Sequence, residues 1–176
     1  MIPDTTPYRI VPLEESHLGA AFECLDPVLT AYFTEGRIWR ERETRVSVPY
    51  VLLEETEKVL GFYTLSATTL NVSAMGLSRT QAKKFPYPTV PATLLGRLAL
   101  HSSLKGRKMG APFIQHAMNK ALEASYNVAS YAVVVHAKND FLAEMYGNLG
   151  FIRFVDQPLH LFLPMKTLEQ LAQAEI

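Results

Sequence analysis

An apolar strand pattern, a basic glycine turn and an amphipathic helix follow one another between Thr93 and Tyr126. The apolar run predicts a strand over Thr93–Leu100, and the recurrence of apolar residues at helical spacing predicts a helix over Gly110–Tyr126. A second apolar run predicts a buried strand over Tyr131–His136. Because strand, helix and strand alternate here, the chain is limited to folds in which helices cover a sheet.

The segments before this unit favour strands and short helices. Alternation predicts a first strand over Tyr8–Leu13, and Asp26 followed by Pro27 predicts a helix start. β-rich runs at Val46–Leu53 and Val59–Ala67 flank an acidic turn and predict a hairpin. Residues 72–91 contain three prolines, which predicts a loop with one helical turn.

The C-terminal part continues the alternation. Asn139 is expected to cap a helix whose apolar side comprises Phe141, Leu142, Met145 and Leu149, and Gly150 is expected to end it. Two further strands, Phe151–Val155 and Leu159–Leu163, then close the sheet. The predicted fold class is α/β (α+β), with a single mixed, mostly antiparallel sheet flanked by helices.

Composition describes an ordinary globular chain. With 176 residues, 48% of them hydrophobic, we expect one domain over residues 1–176. The single Cys24 excludes a disulfide framework, and the five histidines have no short metal-ligand spacing, so no metal site is predicted. The polar start at Met1–Pro7 and the lack of a membrane-length apolar run predict a cytoplasmic protein without a membrane segment.

Charge is distributed in blocks although the chain is neutral overall. Between Glu57 and Glu123 there is no acidic residue, but there are nine lysines and arginines. The densest group forms the turn Lys105–Ala111, in which Gly106 and Gly110 allow close approach to a backbone whose helix-start N–H groups are unpaired. These features predict a phosphate site. The competing interpretation is a plain, solvated turn.

Four segments in order carry a resemblance to a known family. They are Leu95–Leu100, the basic turn, Val133–Lys138 and the run from Ala143 to Phe151. Together they resemble the GNAT superfamily of acetyl-CoA-dependent N-acyltransferases, and most closely its branch of toxins that acetylate aminoacyl-tRNA. Phe22-Glu23-Cys24-Leu25 is similar to the N-terminal signature of that branch, with Leu25-Asp26 where Gly-Asn is usual.

The resemblance implies a set of acetyl-CoA contacts. The family pattern Arg/Gln-x-x-Gly-x-Gly/Ala falls on Lys105–Gly110, with a lysine at its first position and Lys108 in place of the middle glycine. A side chain at this position could obstruct the cofactor or add a phosphate contact. The fold implied has splayed central parallel strands. The implied cofactor residues are Leu98, Ala99, Leu100, Lys105, Gly106, Arg107, Lys108, Met109, Gly110, Ala111, His136 and Asn139.

The resemblance also implies one catalytic residue, Tyr146. A phenol there would hydrogen-bond or protonate the departing thiolate of coenzyme A. No carboxylate lies on or before the strand at Thr93–Leu100 back to Lys58, so no general base is evident, and His101 is the remaining candidate. An α-amine, whose reference pKa is near 8, needs less help than a lysine near 10.4, which favours aminoacyl-tRNA as acceptor.

Further implications concern partners. Arg79, Lys83, Lys84 and Arg97 are candidates for tRNA phosphate contacts, with Phe85 and Tyr87 beside them. The toxin branch further implies a small DNA-binding antitoxin and a homodimer. Two alternatives stay open: an N-acetyltransferase of a small or protein amine, and a non-catalytic GNAT fold that binds nucleic acid or a partner because Lys108 blocks the cofactor loop.

Overall fold

The computed structural model describes residues 7–174. The prediction drawn from Met1–Pro7 therefore falls almost wholly outside the described residues. Within them the sheet has seven strands: β1 (Arg9–Pro12), β2 (Val48–Leu53), β3 (Val59–Asn71), β4 (Thr89–Leu100), β5 (Ala132–His136), β6 (Ile152–Arg153) and β7 (His160–Pro164). The α-helices of the same part of the chain are α1 (Pro27–Thr34), α2 (Arg37–Glu43), α3 (Arg79–Ala82), α4 (Gly110–Ser125), α5 (Asp140–Asn148) and α6 (Met165–Ala174).

The sheet has the strand order β1-β2-β3-β4-β5-β7-β6. Its ladders are antiparallel between β1 and β2, β2 and β3, β5 and β7, and β6 and β7. Strands β4 and β5 are parallel, with Thr93 opposite Val133 and Leu95 opposite Val135. The predicted mixed, mostly antiparallel sheet with central parallel strands is confirmed.

The chain divides into two compact units. The first contains the residues up to Ser66 together with Arg97–Ile114, and the second contains Ala67–Gly96 and the residues from Gln115 onward. Strands β3 and β4 and helix α4 each contribute residues to both units. The single domain predicted over residues 1–176 stays a prediction.

Aromatic rings form the core of the first unit. Phe22 and Phe33 lie 5.2 Å apart, and both lie within 6 Å of Phe62, at 5.3 and 5.7 Å between ring centroids. Phe33 lies on helix α1. Asp26 caps this helix as predicted, because its side chain accepts a hydrogen bond from the N–H of Val28 at 2.9 Å. Burial of these rings holds α1 against the sheet of this unit.

The second unit is built on β5 and β7. Val134 and Phe162 are opposite one another in that ladder, and both are at most 3% exposed. Phe85, half-buried, packs edge-on against Tyr131 with ring centroids 5.2 Å apart. Phe85 therefore contributes to the packing of its loop.

Several element boundaries differ from the predictions. Strand β3 runs to Asn71 and β4 begins at Thr89, so the predicted loop over residues 72–91 is shorter. Pro91 lies inside β4, where its carbonyl accepts a hydrogen bond from the N–H of Tyr131 at 2.8 Å. Tertiary pairing thus outweighs the local preference of proline for loops.

The predicted apolar face of α5 was wrong in part. Phe141 is 77% exposed, whereas Ala143 and Tyr146 are the buried residues of this helix. Residues 143 and 146 are three positions apart and share one face, which turns position 141 towards solvent. The corresponding prediction for α4 is confirmed, since its whole predicted face is buried: Phe113, Ile114, Ala117, Met118, Ala121 and Leu122.

Gly61 in β3 provides a test of this packing. A Cβ at this position would lie 3.0 Å from the carbonyl oxygen of Ala99 and 3.2 Å from the ring of Phe113. Because a backbone oxygen cannot yield easily, we expect Gly61→Ala to lower the free energy of unfolding by about 1–3 kcal/mol in denaturant titrations. Gly19→Ala is the matched control, since a Cβ there meets nothing within 4 Å. Equal stability of the two variants would contradict this packing.

Candidate functional site

The basic turn follows a 3₁₀ helix at Ser102–Leu104 and leads directly into α4. Two of its residues have left-handed backbones: Gly106 with φ +78° and Lys108 with φ +55°. Glycine adopts this conformation freely, but a lysine there is strained by about 1–2 kcal/mol. The turn therefore keeps at position 108 the backbone that a glycine favours, although the residue is a lysine.

Open space borders this turn. A Cβ added to Gly106 or to Gly110 would meet nothing within 4 Å. Helix α4 begins at Gly110, and its first internal hydrogen bond runs from the N–H of Phe113 to the carbonyl of Met109 at 3.1 Å. The N–H groups of Gly110 and Ala111 precede that bond and have no partner within the helix. An anion can approach donors and helix dipole together here.

Three exposed cationic side chains surround the same backbone, those of Lys105, Arg107 and Lys108. Acidic residues are absent from the sequence for a long stretch on both sides, from Lys58 to Leu122. The turn thus combines positive charge, backbone donors and room, which is the chemistry that a phosphate or pyrophosphate requires. That a phosphate binds at this turn stays a prediction.

The two faces at the end of β4 are buried to different extents. Ala99 is 5% exposed and belongs to the aromatic core, while Leu98 and Leu100 are half-buried. His101, the remaining candidate base, caps the 3₁₀ helix that follows and accepts a hydrogen bond from the N–H of Ser103 at 3.1 Å. Burial lowers the pKa of His101, and Lys58 lowers it further. Its imidazole is therefore neutral at pH 7, and its Nδ1 is occupied by the hydrogen bond from the backbone.

A polar cluster beside β4 was not predicted from the sequence. Arg97 places its guanidinium 4.2 Å above the ring of Tyr32 and 3.3 Å from Oε2 of Glu41. The hydroxyl of Tyr32 donates to the same oxygen at 2.8 Å. Burial raises the pKa of Tyr32, and the hydrogen bond to Glu41 raises it further. Because the arginine and the glutamate are 56 positions apart in the chain, no local pattern could reveal the pair.

This cluster qualifies the prediction for Arg97. The side chain is 40% exposed, and its charge is already partly balanced by Glu41. It is therefore a weaker candidate for a tRNA phosphate contact than an unpaired surface cation. The prediction that it contacts tRNA stays a prediction.

Tyr146 on α5 is the predicted catalytic residue of the second unit. The residue is 8% exposed, and its ring packs edge-on against Phe151 at 5.4 Å. Its hydroxyl has no hydrogen-bond partner among residues 7–174, and no buried side-chain oxygen there lacks one, so this oxygen reaches solvent. Burial of the ring raises the pKa of Tyr146 to about 12. The result is a rigid, protonated phenol with a free donor.

Asn139 and His136 precede Tyr146 along the chain. Asn139 caps α5, since its Oδ1 accepts a hydrogen bond from the N–H of Leu142 at 2.9 Å. His136 stacks on His160, with ring centroids 3.8 Å apart and an interplanar angle of 15°. Burial and the neighbouring His160 lower the pKa of His136. The cap is one of the two predicted roles of Asn139, and a cofactor contact of either residue stays a prediction.

The remaining tRNA candidates cluster around α3. Arg79 begins this helix, Lys83 and Lys84 follow it, and all three are exposed. Tyr87 is 71% exposed nearby in the chain. We call Arg79, Lys83 and Lys84 the α3 patch.

Two features are absent from the described residues, a metal-binding group and a membrane-spanning helix. Residues 7–174 contain no group of three or more His, Cys, Asp or Glu side chains that could hold a metal ion. None of the helices in the same range is long and apolar enough to cross a membrane.

Comparison with known proteins identifies relatives of this chain. No protein-family model matches it. A tRNA-acetylating toxin of Mycobacterium tuberculosis (strain ATCC 25618 / H37Rv) is 34% identical over 110 residues, which cover 62% of this chain and 64% of the relative. The match thus spans slightly less than two thirds of that toxin.

Two solved structures match over almost their full length. AtaT complexed with acetyl-methionyl-tRNAfMet has a TM-score of 0.86 at 32% identity, covering 94% of this chain and 99% of that one. A tyrosine-to-phenylalanine variant of the toxin AtaT, bound to acetyl-CoA and the C-terminus of the antitoxin AtaR, has a TM-score of 0.76 at 28% identity, covering 93% and 97%.

The strained turn allows a direct test. Lys108→Gly removes the penalty of a side chain at positive φ, so we expect the free energy of unfolding to rise by about 0.5–1 kcal/mol in denaturant titrations. Lys105→Gly is the control, because Lys105 has a φ of −56° and gains nothing from glycine. A Lys108→Gly variant no more stable than the parent protein would contradict the left-handed backbone at this position.

Proposed function

Because the chain belongs to the family of GNAT-type tRNA-acetylating toxins, we propose that it transfers the acetyl group of acetyl-CoA to the α-amine of an aminoacyl-tRNA. The observation that carries this proposal is the match over 94% of the chain to AtaT complexed with acetyl-methionyl-tRNAfMet. Acetylation of that amine removes the nucleophile of peptide-bond formation, so the expected consequence is a block in translation.

The turn Lys105–Ala111 binds the pyrophosphate of acetyl-CoA in this proposal. Its support is the open, cationic backbone at the start of α4. The left-handed backbone of Lys108 leaves the loop in its glycine-like course, which argues against the non-catalytic alternative. The main chain of Leu98–Leu100 holds the thioester and polarises its carbonyl, and His136 and Asn139 complete the cofactor contacts.

Tyr146 assists departure of coenzyme A. A phenol with a pKa of about 12 is a weaker acid than a thiol near 8.5, and full proton transfer between them is uphill by about 5 kcal/mol. In our mechanism the phenol therefore donates a hydrogen bond to the developing thiolate rather than losing its proton outright. Its raised pKa keeps it protonated, and so able to donate, throughout the physiological pH range.

Partners follow from the same family. A DNA-binding antitoxin that covers the toxin is proposed because the AtaT structure contains the C-terminus of AtaR. A homodimer and a cytoplasmic location are proposed on the same family basis. The α3 patch, with Tyr87 nearby, is proposed to contact the tRNA backbone.

The deciding experiment measures transfer of labelled acetyl from acetyl-CoA to a pool of charged tRNA. Tyr146→Phe is expected to lower the rate by about 10²–10⁴-fold, because it removes only the hydroxyl, while acetyl-CoA affinity stays the same. Tyr126→Phe, which alters an exposed tyrosine bonded to Glu169, is the matched control. Turnover with small amines but not with charged tRNA would favour the alternative acceptor class.

The α3 patch is tested by its charge. Replacing Arg79, Lys83 and Lys84 with glutamine is expected to weaken tRNA binding. The slope of log affinity against log salt concentration should become less negative by about two units. Acetyl-CoA affinity should not change. Lys166→Gln, an exposed cation outside the patch, is the control. An unchanged salt slope would exclude the patch from the tRNA interface.

A further inference from the structure

Glu41 is the one carboxylate of the cluster beside β4, and its two oxygens have different surroundings. Oε2 accepts three hydrogen bonds, from the hydroxyls of Tyr32 at 2.8 Å and Ser47 at 3.2 Å and from Nη1 of Arg97 at 3.3 Å. Tyr32 and Ser47 are 3% and 6% exposed, so both donors are fixed by burial. The carboxylate therefore has a single orientation.

The second carboxylate oxygen of Glu41, Oε1, is available to bind a ligand. Among residues 7–174 no side chain or backbone group bonds Oε1 of Glu41, and no buried side-chain oxygen in that range lacks a partner. Oε1 is accordingly accessible to solvent, although the side chain as a whole is only 23% exposed. A carboxylate held through one oxygen and open at the other is suited to bind a cationic group.

The position of Glu41 connects it to the transfer reaction. Its partner Arg97 directly precedes Leu98 in β4, the strand whose residues Leu98–Leu100 hold the thioester under the proposed function. The N–H of Arg97 is itself anchored, since it donates to the hydroxyl of Thr64 at 3.1 Å. Glu41 is thus fixed beside the last third of β4 by contacts within one unit.

We propose that Glu41 receives the acceptor amine: Oε1 binds the α-ammonium group of the aminoacyl ester and removes its proton before attack. This inference rests on the proposed function and names a base that the strand sequence lacks. Arg97 and Tyr32 act as positioning residues, because they hold Oε2 and leave Oε1 to the substrate.

The proton and electron balance is simple. One N–H bond of the ammonium breaks and an O–H bond forms on Oε1, which leaves a lone pair on the nitrogen. That pair forms the C–N bond while the π pair of the thioester carbonyl moves onto its oxygen. When the C=O bond re-forms, the C–S bond breaks and coenzyme A departs as a thiolate. The amide nitrogen loses its extra proton to solvent, and Glu41 returns its proton to solvent as well.

The surroundings supply few competing charges. On α1 the titratable side chain is Tyr32, and β2 carries no charged residue. Elsewhere on α2, Arg42 lies over the ring of Trp39, Arg37 pairs with Glu35, and Arg40 is exposed. Arg97 is thus the cation in contact with Glu41, and it contacts the oxygen that the substrate does not need.

The test compares Glu41→Gln with Glu43→Gln, a matched change at an exposed position of the same helix. For Glu41→Gln we expect kcat/KM towards charged tRNA to fall about tenfold near pH 7, because only about one α-amine in ten is neutral there without a base. The deficit should shrink above about pH 8.5, where an α-amine is neutral without a base. Acetyl-CoA affinity should stay within twofold of the parent, and Glu43→Gln should behave like the parent at every pH.

Glu41→Asp covers the case in which glutamine disturbs folding. It keeps a carboxylate for Arg97 but withdraws the free oxygen, so a loss of up to about tenfold near pH 7 with intact acetyl-CoA binding is expected. A deficit of Glu41→Gln that is equal at all pH values, or activity like that of the parent, would overturn the inference. Absence of tRNA acetylation by the parent protein and by Glu43→Gln would instead refute the proposed function.

Discussion

The parallel pairing of β4 with β5 is the constraint on which the rest of the structure depends. Parallel neighbours cannot be joined by a tight turn, so the chain must cross over through a dozen or more residues. The crossover here consists of the 3₁₀ helix at Ser102–Leu104, the basic turn and α4. The basic turn therefore lies between the carboxyl end of β4 and the N-terminus of α4.

At position 108 of the turn, a favourable positive charge is combined with an unfavourable backbone conformation. A glycine at position 108 would be less strained, but it would remove one of three cations beside the start of α4. The strain of about 1–2 kcal/mol is small compared with what a charge-assisted contact to a phosphate can contribute, about 1.5–3 kcal/mol per bond. Lys108 is therefore compatible with cofactor binding, and its side chain adds charge where the family pattern has none.

The two groups assigned to proton chemistry, Tyr146 and Glu41, have different hydrogen-bonding environments. Tyr146 is packed on its ring and unbonded at its hydroxyl, and burial raises its pKa to about 12, so it donates without ionising. Glu41 is bonded at one oxygen and open at the other, so it can accept. The side chain of His101, in contrast, is occupied by capping a helix start. A side chain already satisfied by its own backbone has less to offer a substrate.

The sequence by itself determined the family and the fold class, and both are confirmed, whereas the phosphate site at the basic turn stays a prediction. The patterns that predicted the individual elements are local: the periodicity of α4, the Asp26 cap and the run of cations each lie within one short segment of the chain. Only the tertiary structure decided that Phe141 faces solvent, that Pro91 lies inside β4, and that Glu41 meets Arg97 and Tyr32. Such outcomes depend on which segments pack together, because burial and long-range hydrogen bonds outweigh local propensity and have no signature along the chain.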